Sequence, residues 1–455
     1  MGTLIHTGDQ ARFTYDGDYK GPGISVLFPP DKFRRLTVTW PHFDHAPVHP
    51  VFQALIPPPG SVSGPNLQRV CMTRLLERRG IRPAAGLDME WTLLTQFGHG
   101  GIGHIDVFDQ DQSAERYYSQ STQSWSVDTH DQNIAESLAS LMRMQIVVDN
   151  AIPMSVGSAT AGGMMHKILV SIPAKGWDGR IGSRDATQIQ GESFVPVVLK
   201  VAPPEYKGIV PLERLCLDAH DRVGDRVPDN WGAPIADLVG LAVKRFDRDD
   251  NGHPLPLETL HAIVSTIANR EISATQHPLE NVWKVLSGGI QEIPCLLTKP
   301  AADAQILFER VTLSLLTGNG DLHLQNLSVQ EIAGAVSLSP VYDPAPMRAW
   351  ARHDILSANR FGGLNLDRSL MPSNLFEGLI KFGVTLEIQP SDVKRIIERC
   401  LDATSDYRDR LQALSSEEGL AGASKALIDA VAPVRERIQA GVSPKPLISD
   451  HMEMR

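Results

Sequence analysis

Two acids and an amide lie in a polar, glycine-rich part of the chain. The stretch 316–326 contains Asp321 and Asn326, and a second acid, Asp343, follows after two short apolar runs. Transfer of the γ-phosphoryl group of ATP needs an acid that orients the attacking hydroxyl, and an amide and a second acid that hold magnesium. Since magnesium prefers oxygen ligands and takes few of them from the protein, this Asp–Asn–Asp set predicts phosphoryl-transfer chemistry.

The spacing of the first two residues is that of a protein-kinase catalytic loop, in which four residues separate the base Asp from the metal-binding Asn. Asp321 is therefore the candidate catalytic base, and Asn326 and Asp343 are the candidate magnesium ligands. His323, in the same loop, is a candidate for contact with the nucleotide. The structural alternative is a polar loop capped by Asp and Asn, with His323 packed in the core.

The flanking elements would hold this stretch in place. An amphipathic helix is predicted over 303–315, before the loop, and short β-runs at 327–329 and 336–338 follow it. From about residue 256 onward the pattern is mostly helical, and the last helix is expected to be interrupted at Pro433. The second half of the chain therefore predicts a helical unit that carries the loop and a hairpin.

A strand-rich unit precedes the helical one. An apolar strand at 195–200 ends in Lys200, and Glu213 follows near the start of a predicted helix. A strand lysine paired with a helix glutamate is how kinases hold the α- and β-phosphates of ATP. The buried strand 238–243 then leads to the candidate adenine-contacting residues of a hinge, Lys244, Arg245 and Phe246.

A loop of small residues opens the same unit. It runs over 160–167, and a strand at 168–172 follows. Gly162 and Gly163 would let backbone N–H groups approach phosphate closely, and Lys167 ends the loop as a further candidate for phosphate contact. A plain hairpin turn is the alternative interpretation.

The first part of the chain predicts a small α+β unit. Strands are expected at 11–15 and 24–28, and helices at 66–79 and 88–97. The polar stretch 110–129 is interpreted as a linker, and a helix is predicted over 134–147 after it. The predicted units are 1–125, 126–255 and 256–455.

A local positive face is predicted around the helix at 66–79. It contains Arg69, Arg74, Arg78, Arg79 and, just after the helix, Arg82. It is interpreted as a solvated surface. A docking surface for an acidic partner or nucleic acid is the alternative.

Composition narrows the class of protein. The chain has 455 residues and a formal net charge of −10, which argues against a protein that coats nucleic acid by bulk charge. No apolar run is long enough for a membrane-spanning helix. The four cysteines lie far apart with no CxxC pair, which favours buried thiols in a reducing cytoplasm.

Taken in order, the motifs resemble those of the HipA toxins of bacterial type II toxin–antitoxin modules, which are Ser/Thr protein kinases. Val198-Leu199-Lys200 is similar to the family's ATP-lysine strand, and Arg245-Phe246-Asp247-Arg248 to its RFDR signature. The run from Gly320-Asp321 to Asn326 resembles the DGHxKN catalytic loop, although Gln325 stands where the family usually has Lys. Pro340-Val341-Tyr342-Asp343 resembles the PxYD magnesium site.

The resemblance implies an α+β fold of the bilobal protein-kinase type, with a strand-rich N-lobe, a helical C-lobe and an extra N-terminal α+β subdomain. It implies ATP and Mg²⁺ as cofactors. It also implies a HipB-like helix-turn-helix antitoxin, operator DNA bound through that antitoxin, and a translation component as substrate, notably an aminoacyl-tRNA synthetase. A loop Ser is autophosphorylated in the family, which disables the kinase; the corresponding candidates here are Thr160, Ser158 and Ser155.

Two alternatives stay open. The run from Gly320 to Asn326 also resembles the HGDLHPGN loop of aminoglycoside and choline kinases, which would make the protein a small-molecule kinase. The RFDR signature and the N-terminal unit would then be unexplained. A catalytically silent scaffold on the same fold is the second alternative, against which the intact Lys200, Asp321, Asn326 and Asp343 argue.

Overall fold

The structure is a computed structural model. It describes residues 1–7, 10–33, 38–41, 48–57, 60–61, 64–119, 125–132, 166–202, 206–235, 238–364, 366, 371–417 and 419–442. The helix predicted over 134–147 lies outside the described residues. So do Ser155, Ser158, Thr160, Gly162 and Gly163 of the glycine-rich loop and its flank.

The N-terminal unit packs helices against a small antiparallel sheet. Its strands are β1 (Gly2–Thr7), β2 (Gln10–Tyr15) and β3 (Val38–Pro41), with a two-stranded pair β4 (Gly60–Ser61) and β5 (Gly64–Pro65). Its helices are α1 (Pro30–Phe33), α2 (Pro50–Gln53), α3 (Leu67–Arg78), α4 (Leu87–Phe97) and α5 (Asp111–Ser119). Alternation in β2 turns Phe13 and Tyr15 inward, where they pack with Phe52 and Leu94.

The N-lobe is an antiparallel sheet backed by one long helix. Strands β6 (Ser126–Asp128), β7 (His166–Pro173), β8 (Arg180–Gly182), β9 (Gln188–Ile189), β10 (Glu192–Val201), β11 (Asn230–Ile235) and β12 (Leu238–Lys244) form it. Their order is β11-β12-β10-β7-β8-β6, and β9 pairs with β10. The register places Lys200 of β10 opposite Lys167 of β7. The helix is α6 (Ile209–Val223).

The C-lobe is helical around a small antiparallel sheet. Its strands β13 (Leu257–Thr259), β14 (Ser328–Ile332) and β15 (Ala335–Leu338) pair in that order. Its helices are α7 (Leu260–Ala268), α8 (Leu279–Ser287), α9 (Pro300–Thr317), α10 (Leu375–Thr385), α11 (Pro390–Ala403), α12 (Tyr407–Leu414) and α13 (Ala421–Val442). Helix α9 begins with Pro300 in its first turn and ends at Gly318, whose φ of +76° suits glycine. It is buried along most of its length, so it fixes the loop that follows.

Three expectations about local structure were wrong. Residues 24–28 form turns instead of a strand, because Ser25 and Val26 hydrogen-bond to Glu258 and not to a neighbouring strand. The stretch 110–129 is not a plain linker, since it contains α5 and β6; α5 has no buried residue and so lacks apolar periodicity. Helix α13 continues through Pro433, which lies on the exposed face where water can reach the freed carbonyl.

A search of the described helices for one that combines the length and the apolar character needed to cross a membrane finds none.

Candidate active site

Asp343, the second acid of the predicted set, lies between two lysine ammonium groups. One of its carboxylate oxygens accepts a hydrogen bond from Lys200, and the other accepts one from Lys167. Both lysine side chains are almost fully buried, at 5% and 4% exposure. Burial alone would raise the pKa of Asp343, but the two ammonium groups outweigh it and hold the pKa well below its usual range. The carboxylate is therefore an anion under all physiological conditions.

Lys200 also pairs with Glu213 of α6. The distance from Lys200 Nζ to Glu213 Oε1 is 2.5 Å, and the glutamate side chain is fully buried. Burial alone would lower the pKa of Lys200, but Asp343 and Glu213 outweigh it and raise that pKa, so the ammonium stays charged. The structure thus brings together the strand lysine, the helix glutamate and the second acid.

The loop after α9 places Asp321 and Asn326 side by side. Asn326 Nδ2 donates to the backbone carbonyl of Asp321 at 2.9 Å and lies 3.4 Å from its Oδ2. Asn319 Oδ1 accepts the backbone N–H of Asp321 at 3.0 Å, which fixes the turn. His323 Nε2 lies 3.6 Å from Asp321 Oδ1. This set of contacts orients the carboxylate, whose side chain is 37% exposed and so open to a substrate hydroxyl.

The Asp321 carboxylate has a pKa above its usual value. Partial desolvation is the main cause, and the nearby charge of Asp343 acts in the same direction. His323 and Lys167 oppose the shift without cancelling it. A raised pKa makes a carboxylate a stronger proton acceptor, which suits the role of a general base.

The hinge follows β12, and its three predicted residues have different environments. The Phe246 ring centroid lies 5.8 Å from that of Tyr342, and the Phe246 carbonyl accepts a hydrogen bond from Gln330 Nε2 at 2.6 Å. Lys244 Nζ is 3.7 Å from a carboxylate oxygen of Asp229, with the lysine side chain 40% exposed. Lys244 is the last residue of β12 and Phe246 lies two positions after it, on the connection from the N-lobe to the C-lobe.

Arg245 does not have the environment of a nucleotide contact. Its side chain has no exposed surface. Nε and Nη2 donate to the Asp247 carboxylate at 3.0 and 2.7 Å, Nη1 donates to Asp185 at 2.7 Å, and Nη2 also reaches the Gly101 carbonyl at 2.6 Å. With all three nitrogens bonded to protein, the predicted nucleotide contact by this side chain has to be replaced by a structural role.

A buried arginine that the sequence reasoning missed positions the segment with Asp343. Arg310, on α9, donates to both oxygens of Asp225 at 2.8 Å and to the Ser339 carbonyl at 2.8 Å. The backbone N–H of Val341 donates to the carbonyl of Arg226 at 2.9 Å. The loop after α6 is therefore fastened to the strand end that leads to Asp343. A charged residue inside the apolar periodicity of α9 was the available signal.

The residues present fit a hard divalent cation. Asn326 uses its Nδ2 for Asp321, which leaves its Oδ1 to serve as an oxygen ligand. Within the described part of the chain, no three His, Cys, Asp or Glu side chains form a metal cluster. A magnesium ion held by Asn326 and Asp343 would complete its shell with phosphate and water oxygens, as magnesium usually does.

One family model and two solved structures match this chain. The model of the HipA-like C-terminal domain matches residues 159–407. HipA of Shewanella oneidensis MR-1, solved with HipB and its operator DNA, has 15% identity and a TM-score of 0.62, over 97% of this chain and 96% of that chain. The proinflammatory kinase CtkA of Helicobacter pylori has 12% identity and a TM-score of 0.39, over 60% of this chain and 95% of that chain. No curated protein matches in a sequence search.

The likeness to the Shewanella protein extends over almost the whole chain, including the N-terminal unit. It confirms the predicted fold class, an α+β bilobal kinase-like fold with an additional N-terminal α+β subdomain. The family model covers more than half of the residues. The chain therefore belongs to the HipA-like family.

Proposed function

We propose that this protein is a toxin kinase that transfers the γ-phosphoryl group of ATP to a serine or threonine of a protein substrate. The observation that carries the proposal is the convergence of two groups of residues. Lys200, Glu213 and Asp343 form one charged cluster, and the hydroxyl of Tyr342, the residue before Asp343, donates to the carbonyl of Gln325 in the loop of Asp321 and Asn326 at 2.8 Å. A base and a phosphate-and-metal cluster at one lobe junction are the parts that phosphoryl transfer needs.

Each residue has a role in the proposal. Asp321 would orient the substrate hydroxyl and accept its proton, and Lys200 would contact the α- and β-phosphates while Glu213 holds its ammonium in place. Asn326 and Asp343 would hold Mg²⁺, which when bound neutralises the charge that builds on the transferring phosphoryl group. Lys167 is close enough to Asp343 to add positive charge next to the same phosphates.

The remaining contacts with the nucleotide follow from the loop and the hinge. Gly162 and Gly163 would cover the phosphates, Phe246 and Tyr342 would contact the adenine, and Lys244 and His323 would border the nucleotide. Phosphorylation of Thr160, Ser158 or Ser155 would add a charge of about −2 next to a phosphate site, and so would inactivate the enzyme.

The partners in the proposal are those of a toxin–antitoxin module. A HipB-like helix-turn-helix antitoxin would neutralise the kinase and carry it to operator DNA, in the cytoplasm. The protein substrate would be a translation component, with an aminoacyl-tRNA synthetase as the first candidate. Support comes from the fold, since a protein of the same architecture was solved with HipB and its operator DNA.

The test is phosphoryl transfer by the purified full-length chain. Protein is incubated with γ-labelled ATP and Mg²⁺, alone and with a bacterial lysate, and labelled products are identified by mass spectrometry. We expect label on a lysate protein, and a loss of at least about 100-fold with Asp321→Asn, because a positioned base contributes that much to the rate. Asp409→Asn, an exposed acid on α12, is the matched control and should transfer normally.

Other results would contradict the proposal in distinct ways. Label only in a small-molecule fraction would make the protein a small-molecule kinase. ATP binding without any transfer would make it a silent scaffold. Unchanged transfer by Asp321→Asn would mean that this residue is not the base.

A further inference from the structure

The RFDR signature connects the N-terminal unit to the point where the two lobes join. We propose that Asp247 is a positioning residue for nucleotide binding: it holds the N-terminal unit against the hinge and thereby sets the affinity of the site for ATP. The inference rests on the proposed function, because it assumes that the hinge at Phe246 binds a nucleotide. The residues that carry it are called the hinge cluster, which comprises Gly101, Gly103, Asp185, Arg245, Asp247 and Arg248.

Asp247 is the centre of the hinge cluster. Its side chain is 3% exposed, and Oδ2 accepts the backbone N–H of Gly103 at 2.8 Å. The same carboxylate accepts hydrogen bonds from Arg245 at 2.7 and 3.0 Å and from Arg248 at 2.8 Å. One buried carboxylate therefore links two arginines of the lobe junction to a backbone amide of the N-terminal unit.

The arginines reach back to the same loop of the N-terminal unit. Arg245 donates to the Gly101 carbonyl at 2.6 Å, and Arg248 donates to the Gly101 and Gly103 carbonyls at 2.9 Å each. Gly103 has a φ of +82°, a conformation that glycine adopts without strain, and a Cβ there would lie 3.4 Å from the Leu257 carbonyl. This close approach brings the loop directly against the chain that leaves the hinge.

A second contact of the N-terminal unit lies where the segment after the hinge enters the C-lobe, and it serves as a second anchor. The Glu258 carboxylate, on β13, accepts the Ser25 hydroxyl at 2.8 and 2.9 Å and the Val26 N–H at 2.9 Å. His104 Nε2 lies 2.9 Å from the Gly23 carbonyl and so joins the two anchoring loops to each other. The N-terminal unit thus holds the connection between the lobes at both of its ends.

Phe246 lies between two residues of the hinge cluster, so its position depends on them. Its carbonyl is bonded to Gln330 and its ring faces Tyr342, the residue before Asp343. A change that loosens Asp247 would let Phe246 move relative to Tyr342, while Asp321 keeps its own hydrogen bonds to Asn319 and Asn326. Loss of one buried hydrogen bond to a charged group changes an equilibrium by roughly ten- to a hundredfold. The expected loss therefore falls on nucleotide affinity and not on the chemical step.

Asp247→Asn tests the inference, with Asp249→Asn as the matched control. Asp249 lies two positions after Asp247, and its carboxylate makes local contacts. It accepts the N–H groups of Asn251 at 2.9 Å and His253 at 2.8 Å, and it also contacts the His253 ring. The probe is mant-ATP with Mg²⁺, titrated by fluorescence into the full-length chain, together with KM for ATP and kcat. We expect Asp247→Asn to raise Kd and KM by roughly ten- to a hundredfold with kcat within about threefold. Asp249→Asn should behave as wild type.

The outcomes separate the inference from the function on which it rests. Equal Kd values for wild type and Asp247→Asn would overturn the inference alone. A lower kcat at unchanged KM would overturn it as well, because that pattern indicates a smaller fraction of folded protein. Wild-type protein that binds no mant-ATP would overturn the proposed function and the inference with it. If Asp247→Asn does not fold, Ser25→Ala carries the test: a rise of Kd of about threefold at constant kcat supports the second anchor, and an unchanged Kd refutes it.

Discussion

The surroundings of Glu258 predict how the free energy of unfolding depends on pH, and by how much. The side chain lies on β13, is 9% exposed, and has Ser25 and Val26 as its hydrogen-bond donors. Desolvation raises the pKa of Glu258 to about 7, and the two donors offset only part of that effect. A carboxyl of this kind is protonated in mild acid and becomes a buried anion as the pH rises.

The sign and size of the effect on stability follow by linkage. Because the folded-state pKa of about 7 lies above the usual 4.5, the folded protein binds more protons than the unfolded chain between these values. The contribution of protonated Glu258 to the free energy of unfolding is therefore fully present in acid and is lost as the pH rises through about 7. One pKa unit corresponds to about 1.4 kcal/mol, so the free energy of unfolding should fall by roughly 2 to 3 kcal/mol from about pH 5 to about pH 8.

Glu258→Gln isolates this contribution, since the amide resembles the protonated acid and cannot ionise. The measurement is urea unfolding across this pH range, followed by tryptophan fluorescence, for wild type, Glu258→Gln and the exposed control Glu77→Gln. We expect the Glu258→Gln variant to gain roughly 2 to 3 kcal/mol over wild type on going to the higher pH. A difference between the two proteins that is constant with pH would refute the reasoning, and so would the same gain in the control.

Two further substitutions test the parts that position the catalytic loop. Arg310→Met leaves the Asp225 carboxylate, which is 2% exposed, without its charged partner. We expect the free energy of unfolding, measured in urea, to fall by about 3 to 5 kcal/mol. A fall of less than about 1 kcal/mol would contradict the positioning role of Arg310. Gly318→Ala places a Cβ against Leu427 at the end of α9, whereas Gly224→Ala, with a similar positive φ, meets no atom within 4 Å. Gly318→Ala should therefore lower stability by about 1 to 3 kcal/mol more than Gly224→Ala. Equal losses would show that α13 can shift to accommodate the added Cβ.

The local parts of the site were predictable because each lies within one stretch of chain. The spacing from Asp321 to Asn326 is a property of a single loop, and the two residues contact each other within it. Lys200 and Glu213 come from consecutive elements, so an apolar strand followed by an amphipathic helix was enough to suggest their contact. Periodicity likewise located α3, α4, α6 and α9.

The contacts that join distant parts of the chain were not predictable from pattern. The bond of Lys167 to Asp343 spans 176 positions, that of Gly103 to Asp247 spans 144, and that of Ser25 to Glu258 spans 233. Each depends on how whole units pack, which periodicity does not report. For the same reason Arg245 was expected to contact the nucleotide, and a strand was expected at 24–28.

Magnesium-dependent nucleotide binding tests the central claim most directly. Calorimetric titration of ATP into the full-length chain, with and without Mg²⁺, is compared for wild type, Asp343→Asn and the exposed control Asp250→Asn. If Asp343 and its lysine partners form the metal and phosphate site, magnesium should strengthen ATP binding in wild type and in the control but not in Asp343→Asn. Binding that is absent from wild type, or equally strengthened by magnesium in Asp343→Asn, would contradict the assignment of this cluster as the ATP site.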